Sequence, residues 1–535
     1  MTAPNEISRF GFPCVIQVGF AGSRLYFESE YSDSAARSAA EELVKGRISE
    51  ELRGIVELAG ERYFLCGISQ IAIGADMLFT RACQEQEIVQ RIFLPQHRQA
   101  YLDAIGSNGT PDFSNSEKRE AVELLSSPLI IEERAIGTAR DRSARFEAVN
   151  REILRSSDIV LLVLSSESKG GPGGASRLLE QAKRLGKPAI ELRIARRNGE
   201  PTIEKTWHHR DRFVPPRLPA ALMKVAQDRI EDIEGYSDAL KRFASGQANS
   251  LRRLFRLFAF AIVGTHVLAT IMATLALIGH SSRGLMSTAA AILLSVELGL
   301  LLVGLSLHMY LHNSQAVKEW ALSRLLAEIS RSMRTISALH FYPEYLFALQ
   351  IPEPLKPILS TLCVLHLRST RSPPTQSWQE QRDQYLHRRL RNPMTGQLAY
   401  YSGTLRRARL WHKWVPRLFL CSSLIAILAT TVELLWATKA LHSPGQNLPW
   451  EELLGCLAIV MPVVAVGFLS VAASQDIEAR VHVYSEMLAF LEQQTGRLEQ
   501  AVSEDDFLDA LVETETRLLG ETASWLVRRS FMTVT

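Results

Sequence analysis

Two apolar runs separated by a short polar turn dominate the hydropathy pattern: Leu257 to Ile278 and, after Gly279-His280-Ser281-Ser282-Arg283-Gly284, Met286 to Leu307. Each suffices for a helix of about 20 residues to cross a bilayer, and neither keeps the polar stripe of a helix lying on a soluble core. The pattern recurs at an interval of about 155 residues, the mark of a tandem duplication. Ser250-Leu251-Arg252-Arg253 before the first pair corresponds to Thr404-Leu405-Arg406-Arg407 before spans Val415 to Ala437 and Leu453 to Ala473, and Asn313-Ser314-Gln315 after it to Ser474-Gln475. An amphipathic helix is expected after each pair, Gln315 to Leu339 and Gln475 to Leu498, then another over Glu504 to Val527. Phe341 to Pro374 is interrupted by prolines, and Gln376 to Arg391 reads as a charged helix.

Before the spans, the pattern changes to short apolar strands alternating with helical stretches. Strands are expected at Cys14 to Phe20, Tyr63 to Cys66, Gln90 to Leu94, Ile159 to Leu164 and Ala189 to Arg193, with helices between them. That alternation predicts an α/β fold with a doubly wound parallel sheet and ligands at the carboxyl ends of the strands, followed by an all-α four-span region. Arg134, Arg140, Arg142, Arg145 and Arg151, interleaved with Glu132, Glu133, Asp141, Glu147 and Glu152, read as a solvated helix face, with a phosphate clamp for an oligonucleotide as the alternative.

Charge sets the expected topology. The outer turns hold Arg283 and Lys439, whereas Arg252, Arg253, Arg256, Arg406, Arg407, Arg409, Lys413 and Arg417 flank the other ends, so both termini are expected in the cytosol. Three ionisable residues fall inside spans: His266 and Glu297 near the middle, at similar depth, and Glu433 about one turn from the outer end. Glu433 lies close enough to the outer end to reach the headgroups; His266 and Glu297 each cost at least about 2.5 kcal/mol unless they find a partner or water. They mark either an ion- or proton-sensitive site or a hydrogen bond that holds two helices together.

A net charge of +3 over 535 residues does not suit a binder of nucleic-acid duplexes. The six cysteines, at 14, 66, 83, 363, 421 and 456, lack paired spacing, so no disulfide framework, zinc site or other metal is expected. Met1 to Pro13 has no basic segment followed by an apolar one, so no signal peptide is expected.

Several motifs in the first part of the chain resemble the SLOG superfamily, which takes in DNA-processing protein A, the Lonely Guy phosphoribohydrolases and the N-terminal domains of TRPM channels. They are Gly19-Phe20-Ala21-Gly22-Ser23-Arg24, Ser69-Gln70-Ile71-Ala72-Ile73-Gly74-Ala75-Asp76, Phe93-Leu94-Pro95, Phe146-Glu147-Ala148-Val149-Asn150, and Gly173-Gly174-Ala175 with Leu185-Gly186-Lys187-Pro188. The resemblance implies a nucleotide-derived ligand at Gly19, Gly22, Ser23 and Arg24, flanked by Ser69, Gly74, Ala75 and Asp76 on one side and Gly173, Gly174 and Ala175 on the other. Glycines let a backbone approach phosphate oxygens, and Arg24 can hold a phosphate through two parallel hydrogen bonds. Asp76 suits a ribose hydroxyl or a helix cap. Pro172-Gly173-Gly174-Ala175-Ser176-Arg177-Leu178-Leu179-Glu180 matches the Lonely Guy pattern at the proline, both glycines and the glutamate, but Ser176-Arg177 replaces its Gly-Thr. Glu180 is therefore the one catalytic candidate in a chain not expected to be an enzyme.

Trp320, Arg324 and Glu328, on one helix face with Arg324 and Glu328 as an i,i+4 pair, and Gln397-Leu398-Ala399-Tyr400-Tyr401 before the third span, resemble the SLATT family of two-span domains found fused to SLOG domains. The expected organisation is a sensing domain at 1–200, a connector at 201–249, two-span units at 250–340 and 404–535, and linker helices at 341–403. The fusion implies a multi-pass protein of the bacterial inner membrane, acting as a homo-oligomer in antiviral conflict. A nucleotide or a cyclic or linear oligonucleotide, made by an enzyme encoded nearby, would trigger it to permeabilise or depolarise the membrane. A membrane-anchored nucleotide N-glycosidase and a ligand-regulated ion channel are the alternatives.

Overall fold

The computed structural model describes residues 12–23, 34–60, 62–105, 110–137, 141–165, 173–197, 200–218, 222, 232–281, 288–313, 316–337, 339, 343, 345–348, 351–370, 376–437, 450–474 and 476–531. The chain divides into two units, Met1–Ala239 with Ile336–Thr375, and Leu240–Thr335 with Gln376–Thr535.

In the first unit seven strands form one sheet in the order β4-β3-β2-β1-β5-β6-β7: β1 Cys14–Gly22, β2 Tyr63–Ser69, β3 Val89–Leu94, β4 Ile130–Ala135, β5 Ile159–Ser165, β6 Ala189–Arg197 and β7 Glu200–His208. Pairing is parallel throughout except for β7, which runs antiparallel to β6. The central strands are unbroken apolar runs because helices cover both faces. Helices α1 (Ser34–Ala59) and α2 (Ala75–Glu85) pack on Ile16, Val18, Phe20, Leu161 and Val163, and α3 (Asn115–Leu125) adds to that face beside Ile92 and Leu94. On the other face α4 (Arg142–Ser156) and α5 (Ala175–Leu185) meet Val160, Leu162 and Leu164. This is the expected doubly wound sheet, with two strands that the apolar pattern did not disclose. The charged run expected as one helix face is split: Glu132 and Arg134 lie in β4, where Glu132 binds the buried Arg91 of β3 and Arg134 reaches Glu152 of α4 at 2.8 Å. Similarly, β7 occupies part of the stretch expected as a connector.

The middle of the sheet borrows a distant segment. Strand β5 begins pairing with β1 only at Val18. The preceding N–H groups on that edge go elsewhere, Gln17 N–H to Asp158 Oδ2 at 2.8 Å and Val15 N–H to Thr361 Oγ1 at 3.0 Å. Thr361 belongs to α9 (Lys356–Ser369), whose Val364 and Leu367 pack on Val15, Cys66, Val89 and Ile131, so part of the expected linker belongs to this unit.

The second unit is helical: α6 (Ile233–Ser281, from Leu240 onward), α7 (Thr288–Asn313), α8 (Ala316–Ile336), α10 (Trp378–Tyr385), α11 (Gln397–Ala437), α12 (Trp450–Ser474), α13 (Ile477–Glu499) and α14 (Glu504–Phe531). Four of them, α6, α7, α11 and the helix beginning in α12, are long and apolar enough to cross a membrane. The chain itself buries only 17%, 11%, 22% and 11% of their apolar windows, which leaves the remainder for lipid. Glycines set their closest approaches: a Cβ on Gly304 of α7 would lie 2.9 Å from Thr265 Oγ1 and 3.0 Å from His266 Cε1 of α6, and one on Gly467 of α12 would lie 3.1 Å from Val263 Cγ1.

A buried ionic network ties the polar helices together. After α10 the chain winds more widely over Leu386–Arg391, which buries Arg389. Its Nε and Nη2 donate to Glu515 of α14 at 2.8 Å, and Nη2 also donates to Glu328 of α8 at 2.8 Å. Tyr385 donates to Glu515 at 2.8 Å, Gln397 to Glu328 at 3.1 Å and Arg331 to Glu328 at 2.6 Å. The expected Arg324 to Glu328 pair is replaced, because Arg324 turns to Glu521 at 3.4 Å and stacks over Trp525. Burial alone would raise the Glu328 pKa, but Arg389 and Arg331 hold it down at about 2.

Thr361→Val keeps the shape of α9 but strands the Val15 N–H; it should cost about 1–3 kcal/mol, with Thr361→Ser costing less, in thermal unfolding of the purified full chain. Because the folded Glu328 pKa lies below its ordinary value of 4.5, its contribution is complete above that pH and disappears as pH falls through about 2. Acid titration of helical signal should show this loss, on the order of 3 kcal/mol, and Glu328→Gln should be less stable at pH 7 and flatter below pH 4.5.

Candidate functional site

Strand order reverses direction at β1, whose neighbours are β2 and β5, so a crevice opens at the carboxyl ends of these strands. Three stretches meet there: Gly22 and Ser23 ending β1, Ser69 to Asp76 running from β2 into α2, and Gly173 to Ala175 leading into α5. Gly22 must lack a side chain, since a Cβ would fall 2.2 Å from Ala75 Cβ. Gly74 and Gly173 have φ of 94° and 80°, where any other residue would be strained.

Hydrogen bonds fix these stretches. Asp76, buried in the first turn of α2, accepts the Gly22 N–H at 2.9 Å, while the Ser23 N–H donates to Val163 O at 2.9 Å. Both backbone donors that the resemblance would offer to a phosphate are thus engaged within the protein. The buried Asn150 of α4 donates to Gly173 O at 2.9 Å and accepts from Gln70 Nε2 at 3.3 Å, so an amide chain links the end of β2 to the start of α5. Ser69 Oγ and Gln70 Oε1 are buried with no partner among the described residues.

Two helices begin at the crevice on glycine N-caps, α2 at Gly74 and α5 at Gly174, neither with a capping side chain. Elsewhere Ser114 and Ser377 close their helices with capping boxes. A helix start without such a cap directs N–H groups and the positive end of its dipole at whatever lies in front of it, which favours an anion. The Asp76 carboxylate is engaged by the Gly22 N–H, so what the geometry offers an anion is the helix starts at Gly74 and Gly174.

The remaining sequence candidates fall elsewhere. Gly19 lies within β1 beneath α4, where a Cβ would come 2.9 Å from Ile153 and Ser157, so its place is in packing. Arg24 and the loop 166–172 lie outside the described residues. Glu180 is exposed on α5 and pairs with Arg177 at 3.0 Å. His266 Nδ1 lies 2.7 Å from Ile262 O on its own helix, and its ring faces Gly304. Glu297 is about seven residues nearer the turn, roughly 10 Å along α7, so the two do not share a depth. Glu433 lies in α11, with its side chain outside the described residues. Sequence reasoning gave no role to Asn150 and Gln70; the available signal was an amide at Asn150 on the apolar face of α4 formed by Val149, Ile153 and Leu154.

A groove of about 1010 Å³ lies away from this crevice, between α4 and α5 beside Lys187 and Pro188, where β6 begins. Compared with known proteins, the sequence is matched by no protein-family model and by no curated protein. The SLOG and SLATT resemblances rest on their short motifs alone.

Gly22→Ala should destabilise the protein by about 1–3 kcal/mol through overpacking against Ala75, and Ala75→Gly should recover part of the loss in the double variant, as read from thermal unfolding.

Proposed function

We propose that the α/β unit is a SLOG-type sensor for a nucleotide-derived signal, cyclic or linear, and that the four-span unit, a pair of SLATT-like repeats, answers by permeabilising or depolarising a bacterial cytoplasmic membrane in antiviral defence. The observation that carries this reading is the presence, in one chain, of a switch-point crevice fronted by two glycine-capped helices and of four lipid-exposed spans. The termini lie in the cytosol, where the signal is made by a partner enzyme, and several copies assemble, since four spans are few for a pore. The sensor works by binding rather than turnover: Glu180 is exposed and engaged by Arg177. Ligand binding shifts a population between closed and open arrangements by as much as it prefers the open one.

Thermal unfolding of the full chain across a panel of nucleotides and cyclic dinucleotides tests this. One ligand should stabilise the protein by about 2.7 kcal/mol at 100 times its Kd. Arg24→Ala should weaken that ligand at least tenfold and abolish depolarisation of cells supplied with it. Glu180-dependent turnover of the ligand, or undiminished depolarisation by Arg24→Ala, would overturn the reading.

A further inference from the structure

The groove between α4 and α5 differs in kind from the crevice. The two helices lie side by side on one face of the sheet, and their second halves, with Lys187 and Pro188, enclose about 1010 Å³. Because β6 starts just after Pro188, the groove belongs to the amino ends of the strands, opposite the crevice. Its apolar lining is aliphatic, made by Ala148, Leu154, Leu185 and Pro188, with no aromatic ring among the lining residues. Leu185 is 70% exposed. A lone exposed leucine is ordinary on a protein surface, but this one borders a concave apolar lining.

Most of the charge around this lining is engaged inside the unit. Glu152 accepts from Arg134 at 2.8 Å and from Arg155 at 2.9 Å, and Lys187 donates to Leu154 O near the end of α4. Arg151 and Arg184 meet no carboxylate among the described residues, and both are exposed. One belongs to α4 and the other to α5, so a free guanidinium borders the groove from each wall.

Two guanidinium groups across an aliphatic strip match an occupant with carboxylates on both sides of an apolar stripe. An α-helix presents that pattern when apolar residues recur at three- and four-residue spacing and acids flank them. A flat bilayer surface does not enter a concavity, and an oligonucleotide finds no ring here on which to stack a base. A helix lying along the groove would cover Leu185 and give Arg151 and Arg184 acceptors for their forks.

We infer that the groove between α4 and α5 is a docking site for an acidic amphipathic helix of a partner protein, with Leu185 as its apolar contact and Arg151 and Arg184 as its charge clamps. The site is separate from the crevice and stands whatever the crevice binds.

The test is fluorescence anisotropy of the full chain in phosphatidylcholine nanodiscs, with empty discs as the blank. The probe is a labelled peptide of about 18 residues, long enough to hold a helix, with a leucine stripe flanked by glutamates. It should bind saturably, whereas the same peptide with lysine flanks, the same peptide with serine for leucine, and single-stranded DNA of equal length should not. Leu185→Gln should weaken the glutamate peptide at least about tenfold. Arg151→Glu with Arg184→Glu should lose that peptide and take up the lysine-flanked one, a gain that a damaged fold would not give. Arg53→Gln, which removes an exposed arginine of α1, should bind like the parent. The site is overturned by a parent that does not bind the glutamate peptide or binds another probe as tightly, or by a Leu185→Gln protein that binds as the parent does. A charge-reversed protein that keeps the glutamate peptide or refuses the lysine one, or an Arg53→Gln protein that loses binding, overturns it equally.

Discussion

Lipid as solvent is the constraint on which the helical unit depends. Few residues of its spans are buried by the chain, and in hydrocarbon each backbone group must be satisfied within its own helix. Packing in such a medium gains no hydrophobic drive from burial, so close approach has to come from small residues. Gly304 and Gly467 supply it on either side of α6, admitting Thr265, His266 and Val263 to near contact. The threonine hydroxyls in the apolar part of α6 return to their own helix, Thr265 to Ile262 O and Thr270 to His266 O, and so cost little in lipid.

With the spans so constrained, the polar helices carry the specificity, and they do so with charge. Arg389 is the centre: one buried guanidinium ties Leu386–Arg391 to α8 and α14 through two carboxylates that have further donors of their own. Removing one member of such a set leaves an unpaired buried charge and costs about 3–5 kcal/mol, whereas the intact set contributes little net stability. Its value is in register, because a one-residue slip of any of the three segments would separate the fork from its acceptors.

The sequence was most legible where one physical signal acts alone. Four spans and five parallel strands follow from apolar run length, since lipid and a doubly covered sheet both demand unbroken hydrophobicity. Strands β4 and β7 escaped because they lie at the sheet edges, where Glu132, Arg134, Glu204 and Lys205 interrupt the apolar pattern, and charge on an edge guards against unwanted pairing. Thr361 escaped for another reason: its partner Val15 is 346 residues away, and no local pattern encodes that distance. The crevice was half legible. Gly22, Gly74 and Gly173 stand out as glycines, but that Gly22 yields to Ala75, or that Asp76 spends its carboxylate on the Gly22 N–H, depends on the approach of β1 to α2.

That expenditure determines how the crevice can read a ligand. The end of β1 has no backbone donor to give at Gly22 or Ser23, so under the proposed sensing role recognition would fall to the helix starts at Gly74 and Gly174 and to the buried polar atoms behind them. A buried oxygen without a hydrogen bond costs about 1–3 kcal/mol, and Ser69 Oγ and Gln70 Oε1 are two such atoms within one dipeptide. Any ligand group that pairs them recovers that cost. Gln70 also donates to Asn150, and Asn150 to the carbonyl of Gly173, so one chain of amides joins the end of β2 to the helix start of α5. Under the proposed sensing role, a ligand that pairs Ser69 Oγ or Gln70 Oε1 would act on the same amide chain that holds the start of α5.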